Sequence, residues 1–160
     1  MNMELPKRKP NRLENWDYSS NAAYFVTICT KDKQNLFWNI VGAHSVRPQE
    51  IALSDYGSIV DKAIQNIPNH YPNITIDKYC IMPNHIHFIF LINNGSTLCS
   101  PTISMVVKQM KEYVTKQIGQ PIWQKSFHDH IIRGQADYEK IWQYIDENPL
   151  KWELDCFYTD

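Results

Sequence analysis

Apolar and polar positions change their period several times along the chain, and each change marks an element. Residues 24–30 (YFVTICT) are almost all β-branched or aromatic and predict a strand. Residues 31–53 lack a clear period, apart from a short strand near 36–40. Ser54 is a cap residue ahead of Ile59, Val60, Ala63, Ile64 and Ile67, which recur at helical spacing. Pro68 and the following Asn69-His70-Tyr71-Pro72-Asn73 are expected to stop that helix. Residues 74–81 and 85–92 (HIHFIFLI) read as two strands, with Met82-Pro83-Asn84 breaking the pattern as a hairpin turn does. Ser100-Pro101 is a helix opening; Ile103, Val106, Val107, Met110, Val114 and Ile118 then mark one face, and Gly119 and Pro121 end it. Residues 127–133 (FHDHIIR) give a fourth strand. A last helix is expected to open at Asp137, to bury Tyr138, Ile141, Trp142 and Ile145, and to end near Asn148, because Pro149 disfavours helix in the residue before it.

The order strand, helix, strand, strand, helix, strand, helix predicts an α+β, ferredoxin-like fold, an antiparallel sheet with helices packed on one face. Residues 1–22 read as a basic tail with Trp16 and Tyr18 available for docking, residues 23–152 as one catalytic-sized domain and residues 153–160 as a C-terminal tail.

Composition narrows the class. With 43% apolar and 12% aromatic residues the chain has material for a core. No apolar run reaches the roughly 18 residues of a membrane span, and residues 1–12 lack the apolar stretch of a secretory signal. Cys29, Cys80, Cys99 and Cys156 form no C-x-x-C pair, which favours buried free thiols and a reducing cytosol over a disulfide framework or zinc knuckle. A net charge of −1 argues against coating DNA by bulk attraction, so a nucleic-acid partner needs a local patch or a metal. Lys7, Arg8, Lys9 and Arg12 in the tail, and Lys108, Lys111 and Lys116, are the clusters available, each equally readable as solvated surface.

The candidate chemistry lies in His85-Ile86-His87. Residues two apart on a strand share a face, so both imidazoles can aim at one point while Ile86 and Phe88 face the other way. Such a pair suits manganese or zinc and tolerates magnesium if oxygen ligands complete the shell, and the ion would polarise a phosphoryl oxygen. Alone, the pair reads equally as ordinary sheet histidines, and His128-Asp129-His130 is a second H-x-H in the same chain. On the last helix Tyr144 and Asn148 stand four residues apart on one face, with Lys140 a turn earlier and able to meet a phosphate. A phenol attacks a phosphodiester usefully only when a metal activates the phosphate and the phenol is held in line. Packing and helix termination are the structural readings of the same two residues.

Taken together and in order, Met82-Pro83-Asn84-His85-Ile86-His87-Phe88-Ile89-Phe90, Trp123-Gln124, Phe127-His128-Asp129-His130-Ile131-Ile132-Arg133 and Tyr144-Ile145-Asp146-Glu147-Asn148-Pro149 resemble the single-tyrosine HUH transposases of insertion sequences, and most of all the branch called REP-associated tyrosine transposases. The likeness runs from about residue 24 to residue 151. It implies His85 and His87 as metal ligands with Mg2+ or Mn2+, and Tyr144 as a nucleophile forming a 5′-phosphotyrosine and freeing a 3′-hydroxyl. It implies Asn148 as third ligand where insertion-sequence members carry glutamine. It implies single-stranded DNA bearing a hairpin as partner, action in the bacterial cytosol or nucleoid, and either a homodimer that exchanges the tyrosine helix or a monomer. From the charge pattern, Lys108, Lys111, Lys140 and Arg133 are the candidate DNA contacts, with the helix over 101–118 and the N-terminal tail favoured as the surface. His130 belongs to the family's strand pattern without a chemical role. The rival of another class is a domesticated hairpin-binding protein that no longer cuts; a structural zinc site lacks suitable cysteines. A histidine-triad hydrolase is excluded by isoleucine at position 89, and two-histidine phosphoesterases by the lack of two histidine motifs each followed by serine or threonine.

Overall fold

A computed structural model describes residues 21–39, 52–93 and 101–159. Four strands, β1 (Ala22–Cys29), β2 (Ile74–Ile81), β3 (His85–Ile92) and β4 (His128–Ile132), form one sheet in the order β2-β3-β1-β4, with every neighbouring pair antiparallel. The helices are α1 (Asp55–Gln65), a short α2 (Ile67–His70), α3 (Ile103–Ile118) and α4 (Gln135–Glu147), and α4 runs into a 3-10 segment, Asn148–Leu154. Because β3 sits between β1 and β2, and β1 between β3 and β4, the crossovers through α1 and α3 interleave. This is the ferredoxin-like α+β plan expected from the sequence.

The period of two along the central strands sorts the side chains. Tyr24, Val26 and Ile28 of β1 and Ile86, Phe88, Phe90 and Ile92 of β3 point into a core closed by Val60 and Ile64 of α1 and Val106, Val107, Met110 and Val114 of α3. Full burial of each large side chain contributes roughly 1.5–3 kcal/mol before conformational entropy is set against it. Their alternates, Phe25, Thr27 and Cys29 on β1 and His85, His87 and Ile89 on β3, pair across the strands on the opposite face.

That second face carries α4, so only α1 and α3 pack where all the helices were expected. A break in register between Ile76 and Lys78 makes Asp77 the extra residue of a bulge in β2. Both residues there then meet α4: Tyr138 donates to the Asp77 carboxylate, Lys78 pairs with Asp146, and the Lys78 ammonium lies 3.9 Å from the centre of the Trp142 ring. Trp142, expected in the buried stripe, is therefore 38% exposed, and Ile145 is the buried residue of α4.

Several boundaries differ from expectation for local reasons. The strand near 36–40 reduces to a single bridge between Trp38 and Leu53, with residue 40 outside the described residues. Pro68 does not stop a helix but sits in the first turn of α2, where its missing N–H has no partner to lose. The cap of α3 is Thr102, whose hydroxyl accepts from the Met105 amide; Ser100 lies outside the described residues. Gly119 ends α3 at φ 83, as a left-handed cap requires. Helix α4 opens at Gln135 rather than Asp137. Of the cysteines, Cys29 is buried, Cys80 intermediate and Cys156 exposed, all three free; Cys99 lies outside the described residues.

Ser54 caps α1 by accepting from Gly57 N at 3.0 Å while donating to the Leu36 carbonyl at 2.6 Å, which presses the start of α1 against residues 36–37. A Cβ at Gly57 would lie 2.2 Å from the Phe37 carbonyl oxygen. Alanine normally gains about 1 kcal/mol over glycine inside a helix, but overpacking against fixed backbone costs about 1–3 kcal/mol or more. The clash should win: Gly57→Ala is expected to lower stability by roughly 2 kcal/mol in urea denaturation, and an unchanged or higher midpoint would refute the close approach.

Candidate active site

Strand β3 begins with the histidine pair, and both imidazoles point away from the apolar core, towards α4. His85 is 0% and His87 1% exposed. Their Nε2 atoms face one another at 3.0 Å. Each ring is held from behind. Asn84 Oδ1 lies 2.8 Å from His85 Nδ1, and Thr27 Oγ1, directly across β1 in register with His87, lies 2.8 Å from His87 Nδ1.

These partners set the protons. The Asn84 amide nitrogen donates to the Phe157 carbonyl at 2.8 Å, which turns its oxygen to His85 Nδ1. His85 Nδ1 therefore carries the hydrogen, and its Nε2 presents a lone pair. The Thr27 hydroxyl both donates and accepts, so His87 can hold its hydrogen on Nε2, bonding to His85, or on Nδ1, leaving a second lone pair at the same point. The change needs a hydroxyl rotation and no net proton. Backing of this kind is what orients histidine ligands around a cation.

Tyr144 projects from α4 onto this pair. Its hydroxyl is 3.3 Å from His87 Nε2 and 3.4 Å from Asp155 Oδ2, and its ring stands edge-on to Phe25 at 6.1 Å. Burial, then the Asp155 carboxylate, raise its pKa above the usual phenol range, while a hydrogen bond with the Asn148 side chain works the other way. One turn on, Asn148 is 4% exposed and its Oδ1 is buried without a hydrogen-bond partner. An orphaned buried acceptor one turn from the tyrosine that meets two converging imidazoles is what an oxygen ligand looks like without its cation, so the donor set fits a divalent ion.

Residues beyond 152, expected as a tail, close the site from above. Trp152 and Phe157 lie over His85 at a tilt, with ring centres 5.9 Å and 4.6 Å away. Thr159 and Asn35 fasten the end of the segment, the Asn35 amide donating to the Thr159 carbonyl at 3.1 Å. Asp155, Thr27, Asn84 and Phe157 were not singled out by sequence reasoning. Asn84 stands inside the quoted motif, but Thr27 needed the β1–β3 register and Asp155 carries no spacing signal. His130 now has a place: its Nε2 is 2.9 Å from Asp137 Oδ2, which also accepts from the Arg133 amide at 2.9 Å, tying β4 to the first turn of α4.

The expected DNA cations are divided. Arg133 and Lys140 are exposed on the β4–α4 connection and on α4, the elements that carry Tyr144. Lys108 and Lys111 belong to α3, across the sheet, where they line a groove of about 530 Å³ with Trp123 and Phe127. Lys111 donates to the Gln124 and Ser126 carbonyls at 2.8 Å and 3.2 Å, and burial lowers its pKa to about 8, so its charge is spent holding residues 124–126 to α3.

Burial also pushes the His85 imidazole down to about 4 against the opposing pull of Asp155, and burial and then His85 push His87 well below its usual range. Below about 6.5 the unfolded chain takes up protons that the folded chain refuses, so this contribution to stability is present above pH 6.5 and lost as pH falls towards 4. Acidification from pH 7 to 5 should cost roughly 2 kcal/mol through His85 alone. Urea midpoints at the two pH values test this, with His85→Gln expected to lose less than wild type and an equal loss counting against it.

No protein-family model matches the chain. An uncharacterised protein of Haemophilus influenzae is 33% identical over 99% of this chain and 97% of its own length. A second H. influenzae protein, provisionally named a REP-associated tyrosine transposase, is 24% identical over 90% of this chain and 84% of its own. A REP-associated tyrosine transposase of Escherichia coli is 28% identical over 53% of this chain and 55% of its own. Among solved structures, that of a REP-associated tyrosine transposase bound to a REP hairpin superposes with a TM-score of 0.65 at 22% identity, covering 88% of this chain and 74% of that one, a likeness of fold. The fold, the named relatives and the motif order agree: the chain resembles the REP-associated tyrosine transposases in sequence and in fold.

Proposed function

We propose that this transposase nicks and rejoins single-stranded DNA beside a hairpin, with Tyr144 as nucleophile and a divalent cation, Mg2+ or Mn2+, held by His85, His87 and Asn148. One observation carries the reading: two imidazole nitrogens converge at 3.0 Å, and the Tyr144 hydroxyl stands 3.3 Å from one of them. A phenol whose pKa is raised is not ionised at neutral pH, so its placement beside a cation site is what makes it useful. The cation would polarise the phosphoryl oxygen and stabilise the charge that builds there.

Asn84 fixes the His85 lone pair on that point, and Thr27 lets His87 bring its own to the same place. The Tyr144 oxygen bonds to phosphorus as the bond from phosphorus to the 3′ oxygen breaks. The phenol gives up its proton, and the departing strand leaves as a 3′-hydroxyl. The 5′-phosphotyrosine keeps the energy of the phosphodiester, so a returning 3′-hydroxyl reverses the step without ATP. The REP hairpin held by the solved relative supports a hairpin as the recognised DNA. Exposed Arg133 and Lys140 are the cations proposed to meet it, with Lys108 on the far face a weaker candidate and Lys111 committed within the fold.

Incubation with hairpin-bearing single-stranded DNA and Mn2+ tests the proposal. A protein–DNA adduct resistant to denaturant is expected, and a chelator should abolish it. Hairpin binding with no adduct under any divalent ion would instead favour a binding protein that no longer cuts.

A further inference from the structure

We propose that Asp155, delivered by the C-terminal segment, is a carboxylate ligand of the same divalent cation; this rests on the metal site of the proposed function. Among the described residues, His85, His87 and Asp155 form the one group of such side chains able to close on an ion, their ligand atoms all within 4.8 Å of one another. Asp155 Oδ2 is 4.0 Å from His85 Nε2 and 3.4 Å from the Tyr144 hydroxyl. For metal–ligand bonds of about 2.1 Å, donors in an octahedral shell stand about 3 Å apart when adjacent and about 4.2 Å when opposite. The 3.0 Å between the imidazoles and the 4.0 Å to Asp155 fall within that range.

The carboxylate is built into position. Its side chain is 3% exposed, and its other oxygen, Oδ1, accepts from the Phe157 amide at 2.7 Å, which leaves Oδ2 turned inward. The Phe157 carbonyl in turn accepts from Asn84, the residue that orients His85. Roof and ligand are thus one hydrogen-bonded unit. The buried Asn148 Oδ1, one turn from Tyr144 and without a hydrogen-bond partner, is a separate observation in keeping with an oxygen-binding cation.

Charge makes the case chemical as well as geometric. Two neutral imidazoles and an amide bring no negative charge, and a doubly charged ion in a buried site requires some. Mg2+ and Mn2+ favour oxygen donors, and two imidazoles with one carboxylate leave positions open for substrate oxygens. Residues 152–159 would then be part of the active site rather than an appendage.

The test reads metal binding without DNA. Full-length protein is titrated with Mn2+ and free ion is followed by electron paramagnetic resonance. Asp155→Asn, of the same shape and without charge, is expected to weaken the dissociation constant tenfold or more, and Asp155→Glu to recover part of that loss. Denaturation in chelator checks that the variants fold. If Asp155→Asn does not fold, wild-type protein carrying 13C-carboxylate aspartate supplies the second measurement: Mn2+ should shift a carboxylate stretch in infrared difference spectra, and no shift would overturn the proposal. Wild-type affinity in folded Asp155→Asn together with loss of binding in His87→Ala removes Asp155 alone as a ligand. No Mn2+ binding by the wild-type chain removes the metal site and this inference together.

Discussion

Tyr144→Phe is expected to remove the covalent protein–DNA adduct altogether and to lower cleavage by about a thousandfold or more, while the protein stays folded and still binds the hairpin. Loss of a nucleophile is among the largest single effects in catalysis, because no neighbouring group takes over its bond to the substrate. Here the phenylalanine ring keeps the edge-on contacts with Phe25 and His87 and loses long hydroxyl contacts, 3.3 Å to His87 and 3.4 Å to Asp155. The side chain is 41% exposed, so the stability change should stay within about 1 kcal/mol. Tyr138 is the informative control. Its hydroxyl donates to Asp77 in the β2 bulge, and that bond raises its pKa, so it anchors α4 rather than facing the histidines. Tyr138→Phe should therefore keep the adduct. An adduct that survives in Tyr144→Phe but disappears in Tyr138→Phe would exchange the two assignments.

The reason Tyr144 faces the histidines while Tyr138 packs against β2 was only half readable from the sequence. Strand identity at His85-Ile86-His87 followed from period two, and the core positions of Ile86 and Phe88 followed with it. The helical offset from Tyr144 to Asn148 placed both on one side of α4 before any coordinates. What periodicity does not carry is which face of the sheet α4 chooses. That depends on the bulge at Asp77, which turns two polar residues towards α4 and so lets Trp142 remain exposed. The backing of the histidines was hidden for a similar reason. Thr27 reaches His87 only because β1 and β3 pair in one register, a long-range fact with no local signature. Asp155 was the least legible residue: it belongs to neither a strand nor a helix, and it reaches the site because Phe157, Asn84 and Thr159 pin the segment that carries it.

This distribution of contacts also decides how many chains make one site. Within a single chain Tyr144 already stands against its own His87, and α4 is held to its own β2 through Asp77, Lys78 and Asp146. The expected behaviour is therefore that His87→Ala cuts at least about a thousandfold more slowly, because one of the two imidazoles proposed to hold the cation is gone. Hairpin affinity should stay within a few-fold of wild type, since exposed cations rather than the buried pair meet the phosphates. Mixing His87→Ala with Tyr144→Phe then separates the two arrangements that the sequence left open. If each chain builds its own site, every molecule in the mixture lacks either a metal ligand or the nucleophile, and no adduct forms at any ratio or concentration. If α4 is exchanged between two chains, a mixed pair restores one intact site, the one that joins the Tyr144 of the first variant to the His87 of the second. Adduct should then reach up to about a quarter of the wild-type amount at equal mixing, on random pairing of equivalent chains. That recovery, measured after co-refolding so that exchange has time to occur, would overturn the single-chain site, because a phenol 3.3 Å from its own histidine leaves no reason to borrow another.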